Sequence, residues 1–471
     1  MKKIISLLLV FIMLLCLTAC SDSQGDSVTT TEAAASNTGF SVGYARENIT
    51  PTTSGDIFLA GYEDDTPCIG VMDPLYVSCI AITDENNNTA LLFSFDLGSV
   101  SIPFSTEIRN KVTSVTGVPK ENIFSASTHI HSAPAHGDAV IHNLAVNGAA
   151  KTAQAAMESR KPAEIFIGRS ETENLNFVRH YVMDDGSFVG DNYGIVTGKA
   201  YVKHETEADN EIQLIKFVRD GEKDIVLMNW QGHPTVTGNN GYITSDTIGY
   251  CRMYMENTFD CDFVYFQGAS GNLNTWSRIS DENISATRDV KKHGEALGRY
   301  AGKGLDNMTK VNPGEIKIKS VTYKGEVRKT TGEENAAAAV FLSIYEETKD
   351  QEKACAATNG LINSIFTISG MKNRAAAGDY KNLPLNMIAI GDISFITAPY
   401  EMFDTNGMYI KENTPFEMTF VVTYCNGHES YIPSQLGFDN GCYEKDNGYF
   451  VAGTGEKLAE LYVETLNELH D

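Results

Sequence analysis

The chain lacks closely spaced cysteine pairs. Only nine of its 471 residues are cysteines, and none stand in Cys-x-x-Cys spacing. Setting aside Cys16 and Cys20 near the N-terminus leaves seven scattered cysteines. This pattern excludes a disulfide framework and a thiolate zinc site, because both need paired cysteines at regular spacing. One or two disulfide bridges remain open, and we expect most of these cysteines to be buried thiols.

Basic charge and long apolar runs are also scarce. The 37 Lys and Arg residues are outnumbered by 61 Asp and Glu residues, which gives a net charge of −24. Such a balance argues against a nucleic-acid partner and against electrostatic adhesion to an anionic membrane. No run beyond the N-terminus approaches the roughly 20 apolar residues of a membrane span. The 42% hydrophobic content is enough for a large core.

The N-terminus resembles a bacterial lipoprotein signal. Two lysines precede an apolar run at 4–17, and Leu-Thr-Ala-Cys then ends at Cys20. This pattern predicts a signal peptide at 1–19 and acylation of Cys20, which would anchor the protein on the extracytoplasmic side of the bacterial cell envelope. An ordinary cleaved signal is the alternative. Residues 20–39 are rich in Ser, Thr, Ala and Gly and predict a flexible tether.

Strand-like segments alternate with helical segments along the rest of the chain. The strand-like segments are 76–82, 89–97, 164–168, 211–219, 224–229, 262–266, 387–396 and 418–423, and the helical segments are 105–115, 149–159, 286–308, 333–358 and 456–469. Alternation of this kind predicts a mixed α/β (α+β) fold of layered mixed β-sheets flanked by helices. No internal repeat or linker interrupts 40–471, which predicts a single catalytic domain there.

A His-x-His motif directly follows a short strand-like run at 122–125. In an extended segment, side chains two residues apart point to the same side, so His129 and His131 can face one spot. Neutral imidazole is the commonest protein ligand for zinc. The simpler alternative is a pair of polar histidines in a loop.

The residues around these histidines resemble a known family. Residues 128–134, Thr-His-Ile-His-Ser-Ala-Pro, are similar to the Ala-Thr-His-Thr-His-Ser-Gly-Pro signature of neutral/alkaline non-lysosomal ceramidases, which are zinc amidases. Segments 44–51, 59–62 and 94–98 are similar to further family motifs in the same order. The resemblance covers the catalytic N-terminal domain of the family only, and it implies that domain's fold.

The resemblance implies a ligand set for one zinc ion per chain. His233 follows the strand-like segment 224–229 and matches the family's second histidine, and Glu401 matches a Pro-x-Glu-Phe motif whose carboxylate binds zinc. Tyr431 matches the tyrosine of a Tyr-Val-Thr-Thr motif. The implied ligands are therefore His129, His233, Glu401 and Tyr431. Taken alone, Glu401 would be a helix N-terminal charge, and Tyr431 would be one of 21 tyrosines.

The resemblance also implies catalytic roles beside the metal. His131 would shuttle protons to the leaving amine. Tyr443 follows Tyr431 by twelve residues, as in the family motif, and would point at the reacting carbonyl. Arg179 lies where the family carries an active-site arginine. Tyr443 and Arg179 would stabilise the oxyanion.

One position departs from the family pattern. Asn274 stands where ceramidases have a serine that is important for activity, and Thr275 replaces the following proline. An amide forms hydrogen bonds but cannot act as a nucleophile. Zinc-hydroxide chemistry needs no serine nucleophile, so hydrolysis remains expected, but ceramide specificity does not follow.

These observations predict a lipid-anchored, zinc-dependent hydrolase of a linear amide bond. Its expected partners are a small-molecule or lipid N-acyl substrate, and a membrane through the lipid anchor. The alternatives are a hydrolase of a different N-acyl or ester substrate, and a lipid-anchored binding protein that keeps zinc but is inactive. A purely structural lipoprotein would not explain the ordered series of ligands. The oligomeric state stays open.

Overall fold

The computed structural model describes residues 39–52, 57–61, 66–135, 137–190, 199–275 and 288–471. Cys20, the signal peptide predicted at 1–19 and nearly all of the tether predicted at 20–39 lie outside these residues. Thr38–Asp471 form one compact unit. None of the described helices is both long and apolar enough to cross a bilayer. The seven cysteines from Cys68 onward are free thiols, and five of them are buried.

A large mixed sheet of nine strands forms one half of the fold. Its strands in spatial order are β16 (Asp262–Gln267), β14 (Ile225–Trp230), β13 (Glu211–Arg219), β8 (Lys161–Glu171), β1 (Ser41–Asn48), β5 (Tyr76–Thr83), β6 (Thr89–Phe95) and β7 (Ile123–Ser127), with β18 (Thr309–Val311) beside β8. The pairs β14–β16 and β6–β7 are parallel, and the other neighbours are antiparallel. Strand β5 shows the expected alternation, since Ile80 and Ile82 enter one core while Cys79 and Ala81 enter another.

A smaller mixed sheet packs face to face against the large one. Its strands in spatial order are β19 (Ile316–Glu326), β20 (Tyr380–Ile390), β21 (Ile393–Ala398) and β23 (Met418–Thr423), of which β21 and β23 are parallel. The shared apolar core contains Phe266 of the large sheet and Phe395 of the small sheet, with ring centroids 6.5 Å apart. The two sheets therefore form the centre of a sandwich.

Helices cover the outer faces of both sheets. The helices are α1 (Ile102–Thr116), α2 (Ala139–Glu158), α3 (Asp246–Phe259), α4 (Val290–Leu305), α5 (Gly332–Thr348), α6 (Gln351–Ala356), α7 (Ile365–Ala377), α8 (Asp404–Asn413), α9 (Gln435–Asp439), α10 (Tyr443–Asn447) and α11 (Thr454–His470), with a 3-10 turn at Lys120–Asn122. Helices α1 to α4 cover the large sheet, and α8 and α11 cover the small sheet. This four-layer helix–sheet–sheet–helix arrangement confirms the predicted mixed α/β class.

Short strand pieces lie in the connecting segments. They are β2 (Phe58–Leu59), β3 (Thr66–Pro67), β4 (Gly70–Val71), β9 (Phe177–Val178), β10 (His180–Met183), β11 (Phe188–Gly190), β12 (Tyr201–His204), β15 (Tyr242–Ile243), β17 (Leu273–Asn274), β22 (Glu401–Met402) and β24 (Tyr431–Ile432). The pairs β9–β17 and β22–β24 matter most, because they bring distant parts of the chain to the candidate site.

The helix expected at 149–159 begins ten residues earlier, at Ala139, and two other predicted elements are each split in two. The single helix expected at 333–358 is split into α5 and α6, because Lys349 adopts a left-handed backbone (φ 54°) that ends α5. The single strand expected at 387–396 is two strands, β20 and β21, joined by a tight turn at Gly391. Gly391 has φ 56°, and a Cβ there would overlap the carbonyl of Asn312. Gly391-Asp392 separates two apolar runs and is a hairpin signal that the single-strand prediction did not use, whereas no turn residue marks the end of α5 at Lys349.

Candidate metal centre

The candidate site lies where strands of both sheets end. His129 follows β7, His233 follows β14, and Glu401 follows β21 after a short connection. Main-chain hydrogen bonds join the two sheets here, because Ser127 N donates to Tyr424 O at 3.1 Å. The carboxyl ends of strands in layered sheets are common places for sites.

The backbone at the first histidine differs from the extended geometry expected from its sequence. His129 has φ 65°, a left-handed conformation, and its N–H donates to Leu97 O at 3.0 Å. A left-handed backbone is uncommon for residues other than glycine and is often found at functional sites. His129 and His131 do face one spot, as predicted, but a turn and not an extended strand directs them there.

Three imidazole rings converge through their Nε2 atoms. His129 Nε2 lies 3.0 Å from His233 Nε2 and 3.3 Å from His131 Nε2. Each Nδ1 faces main-chain carbonyl oxygen: His129 faces Gly98 O at 2.8 Å, His131 faces Gly61 O at 3.0 Å, and His233 faces Ser270 O at 2.9 Å. A carbonyl can only accept, so each Nδ1 carries the proton and each Nε2 presents a lone pair.

Glu401 brings a carboxylate to the same point. Its Oε2 lies 3.6 Å from Nε2 of both His129 and His233. The Tyr424 hydroxyl donates to Oε2 at 3.1 Å, and His428 Nε2 donates to Oε1 at 3.0 Å. Burial alone would raise the pKa of Glu401, but His129 and His428 hold that pKa well below its usual range. The carboxylate is therefore ionised.

This arrangement fits a bound cation. Burial lowers the pKa of His233 to about 3 and the pKa of His129 well below its usual range, so both rings are neutral. Neutral rings cannot hydrogen-bond to one another through their Nε2 atoms, because the lone pairs on those atoms lie about 3 Å apart and repel. A metal ion resolves the conflict, and imidazole nitrogens held by Nδ1–H···O=C bonds are typical zinc ligands. His129, His131 and His233 are accordingly a geometric metal-binding group.

The remaining predicted residues form a second group beside the histidines. Tyr431 is the direct partner of Glu401 across the parallel pair β22–β24. The ring centroids of Tyr431 and Tyr443 are 5.8 Å apart, and the Arg179 guanidinium lies 5.6 Å from the Tyr431 ring centroid. Arg179 Nη1 donates to Asn274 Oδ1 at 3.4 Å. The structure therefore brings all eight predicted site residues of the described chain into one region, and their individual roles stay predictions.

Sequence reasoning missed three residues that hold these groups in place. Tyr424 stacks on the His129 ring with centroids 3.7 Å apart while its hydroxyl binds Glu401. His428 binds the other oxygen of Glu401, and Glu444 binds Arg179. The sequence offered only their nearness to predicted residues as a signal. His428 precedes the Tyr-Ile-Pro motif by three residues, and Glu444 follows Tyr443.

Comparisons with known proteins agree with this geometry. The family model described as neutral/alkaline non-lysosomal ceramidase, N-terminal, matches residues 40–269. The solved neutral ceramidase from Pseudomonas aeruginosa has a similar fold, with a TM-score of 0.71 at 16% identity over 92% of this chain and 75% of that chain. A structure of ceramidase complexed with C2 has a TM-score of 0.68 at 16% identity over 91% and 75% of the two chains. Residues 40–269 of this chain therefore belong to the N-terminal domain of the neutral/alkaline non-lysosomal ceramidase family.

Proposed function

We propose that this protein is a zinc-dependent hydrolase that cleaves the amide bond of an N-acyl substrate. The convergence of the His129 and His233 imidazoles with the Glu401 carboxylate, which is paired to Tyr431, carries the proposal, because imidazole nitrogens and a carboxylate oxygen are donors that suit zinc. Family membership supports the reaction class. One zinc ion per chain would be held by His129, His233, Glu401 and Tyr431. Zinc at such a site supplies a water of lowered pKa and polarises a carbonyl oxygen.

The residues around the ligands supply proton transfer and charge stabilisation. His131 is the least enclosed of the three histidines, and its Nδ1 proton is held by Gly61 O, so its Nε2 is the atom that exchanges a proton with the leaving amine. Arg179 and Tyr443 both lie beside Tyr431 and would donate to the oxygen on which negative charge develops.

Asn274 limits what is proposed about the substrate. Its carboxamide accepts from Arg179 where the family has a serine hydroxyl, so the contacts to a substrate differ from those of a ceramidase. We therefore propose an N-acyl lipid or N-acyl amine and not ceramide in particular. The second candidate function, a lipid-anchored protein that binds zinc and an N-acyl ligand without hydrolysis, is favoured by the same substitution. In either case the protein would act in the cell envelope, anchored through Cys20.

A zinc measurement combined with a substrate panel tests the proposal. Purified protein should contain about one zinc per chain, and Glu401→Ala should lose most of it, because no neighbouring side chain replaces a buried anionic ligand. Zinc-loaded protein is then given ceramide, short N-acyl amines and N-acyl amino acids. We expect turnover that falls in His131→Ala and in Tyr431→Phe. His470→Gln, at the exposed end of α11, is the matched control and should behave as the wild type.

The outcomes separate the candidates. Turnover of short N-acyl compounds but not of ceramide would support a hydrolase with a different substrate. Full zinc with tight binding of an acyl amide and no turnover would favour the binding protein. Full zinc in both His233→Ala and Glu401→Ala would reject the metal centre itself.

A further inference from the structure

A chain of alternating charges runs from the candidate site into the protein. Arg179 Nε donates to Glu444 Oε1 at 2.8 Å, and Glu444 Oε2 accepts from His180 Nε2 at 3.0 Å. His180 Nδ1 then donates to Glu205 Oε2 at 2.9 Å. Glu444 is completely buried, and His180 and Arg179 are nearly so. The chain consists of two cations and two anions, so its charges cancel.

The charge states follow from the partners. Both ring nitrogens of His180 face carboxylates, which only accept, so both nitrogens carry protons. Burial by itself would lower the pKa of His180, but Glu444 and Glu205 raise it to about 9. The rings of Phe188 and Phe403, each 5.7 Å from the His180 ring, shield this charge from water. Removing these charged groups from water costs free energy even when they are fully paired, so we expect the chain to have a functional role.

Metal binding does not explain the chain. His180, Cys442 and Glu444 lie close enough to hold an ion. However, both nitrogens of His180 already donate to carboxylates, and Glu444 already binds two cations. Burial also raises the pKa of Cys442, which keeps its thiol neutral. The group therefore lacks free ligand atoms and a thiolate.

The geometry at Arg179 indicates what the chain does. Glu444 takes the Nε and Nη2 edge of the guanidinium, and Gly271 O accepts from Nη2 at 2.8 Å. The remaining nitrogen, Nη1, is turned toward Asn274 and the candidate site. A planar guanidinium held along one edge has little freedom to rotate.

We propose that Glu444, fixed in turn by His180, is a positioning residue that aims Nη1 of Arg179 at the reacting acyl group. The inference rests on the proposed hydrolase function. Glu444 is the second residue of α10 and follows Tyr443, so the same contact also fixes the turn that carries the tyrosine. Glu444 touches no substrate and acts only through Arg179.

Kinetics of Glu444→Gln test the inference. With the N-acyl substrate that the wild type hydrolyses fastest, kcat should fall about 100-fold, because a misplacement of roughly 1 Å costs that much. KM should stay within about threefold, and zinc content should be unchanged, since Glu444 is no ligand. Asp262→Asn is the control. Asp262 begins β16, at the end of that strand away from the candidate site, and its carboxylate pairs with the buried Arg219. Removing this carboxylate should leave kcat unchanged.

A double-mutant cycle distinguishes positioning from general damage. If Glu444 acts only through Arg179, then Glu444→Gln combined with Arg179→Lys should be no slower than Arg179→Lys alone. Multiplying effects, or a Glu444→Gln kcat within twofold of the wild type, would overturn the inference. If Glu444→Gln does not fold, His180→Gln takes its place with an expected loss of about tenfold in kcat and the same test of additivity.

Acetate binding keeps this test separate from the test of the proposed function. Acetate is a short carboxylate of the kind that deacylation would release, and its affinity for the zinc-loaded protein can be measured without turnover. Glu444→Gln should weaken it about tenfold, and Asp262→Asn should not. If the wild type shows no turnover, but Glu444→Gln weakens acetate binding, the hydrolase function is rejected and the positioning role of Glu444 stands. If the wild type shows turnover, but Glu444→Gln changes neither kcat nor acetate affinity, the hydrolase function stands and the positioning role of Glu444 is rejected.

Discussion

We expect His428 to influence the zinc affinity of the proposed centre although it is not a predicted ligand. Its Nε2 donates to Glu401 Oε1 at 3.0 Å, and the carboxylate is ionised and almost fully buried. A hydrogen bond to a charged group contributes about 1.5–3 kcal/mol. Each 1.4 kcal/mol is roughly a factor of ten, and the His428 side chain is 26% exposed, so water replaces part of the lost bond. We expect His428→Ala to weaken zinc binding about tenfold, at the lower end of the range for such supporting residues.

The assay is a competition titration of metal-free protein against a zinc chelator at neutral pH. Tyr424→Phe is the matched comparison, since it removes the other hydrogen bond to Glu401 but keeps the ring that stacks on His129. It should weaken zinc binding by a similar factor, while His470→Gln should have no effect. If His428→Ala and Tyr424→Phe both bind zinc within twofold of the wild type, the carboxylate is not oriented for the metal and the reasoning fails.

Three further results are expected. Gly61→Ala should lower turnover about 100-fold at full zinc content, because its Cβ would lie 2.5 Å from His131 Nδ1; loss of zinc would instead make His131 a ligand. The pKa of His180 is about 9 in the folded protein and 6.5 for a free side chain. Protonated His180 therefore stabilises the folded protein fully below pH 6.5, and this stabilisation is lost as the pH rises through 9. The free energy of unfolding should therefore fall by about 3 kcal/mol more in the wild type than in His180→Gln over that interval, measured with urea. Cys20→Ser should abolish labelling by radioactive fatty acid, and persistent labelling would exclude the predicted anchor.

Much of the fold could be predicted from local pattern. The strands at 211–219 and 418–423 were predicted with the bounds that the structure has, because both segments are rich in β-branched, aromatic and other apolar residues. The errors at Lys349 and Gly391 share one cause. A left-handed residue ends an element through a single backbone angle, which a glycine such as Gly391 signals in the sequence but a residue such as Lys349 does not.

The positions of the predicted ligands could also be read from the sequence. His129 and His233 closely follow strands, Glu401 and Tyr431 begin short strand pieces, and the motifs stand in the same order as those of the family whose model matches residues 40–269. Local motifs identify residues of this kind because a side chain that must bind a metal needs particular neighbours in the chain. His129, His233 and Glu401 do meet at one point.

The sequence by itself therefore determined the mixed α/β class, the residues that meet at the candidate centre and the family. Only the tertiary structure decided how those residues are held. The contact between Arg179 and Glu444 joins residues 265 positions apart, and the contact between His428 and Glu401 depends on the meeting of two separate loops. Tautomers, charge states and the direction of a guanidinium depend on such contacts, since they are set by which acceptors lie within 3 Å and by how little water remains. Distances of this kind are produced by the packing of the two sheets and are not written in any local pattern.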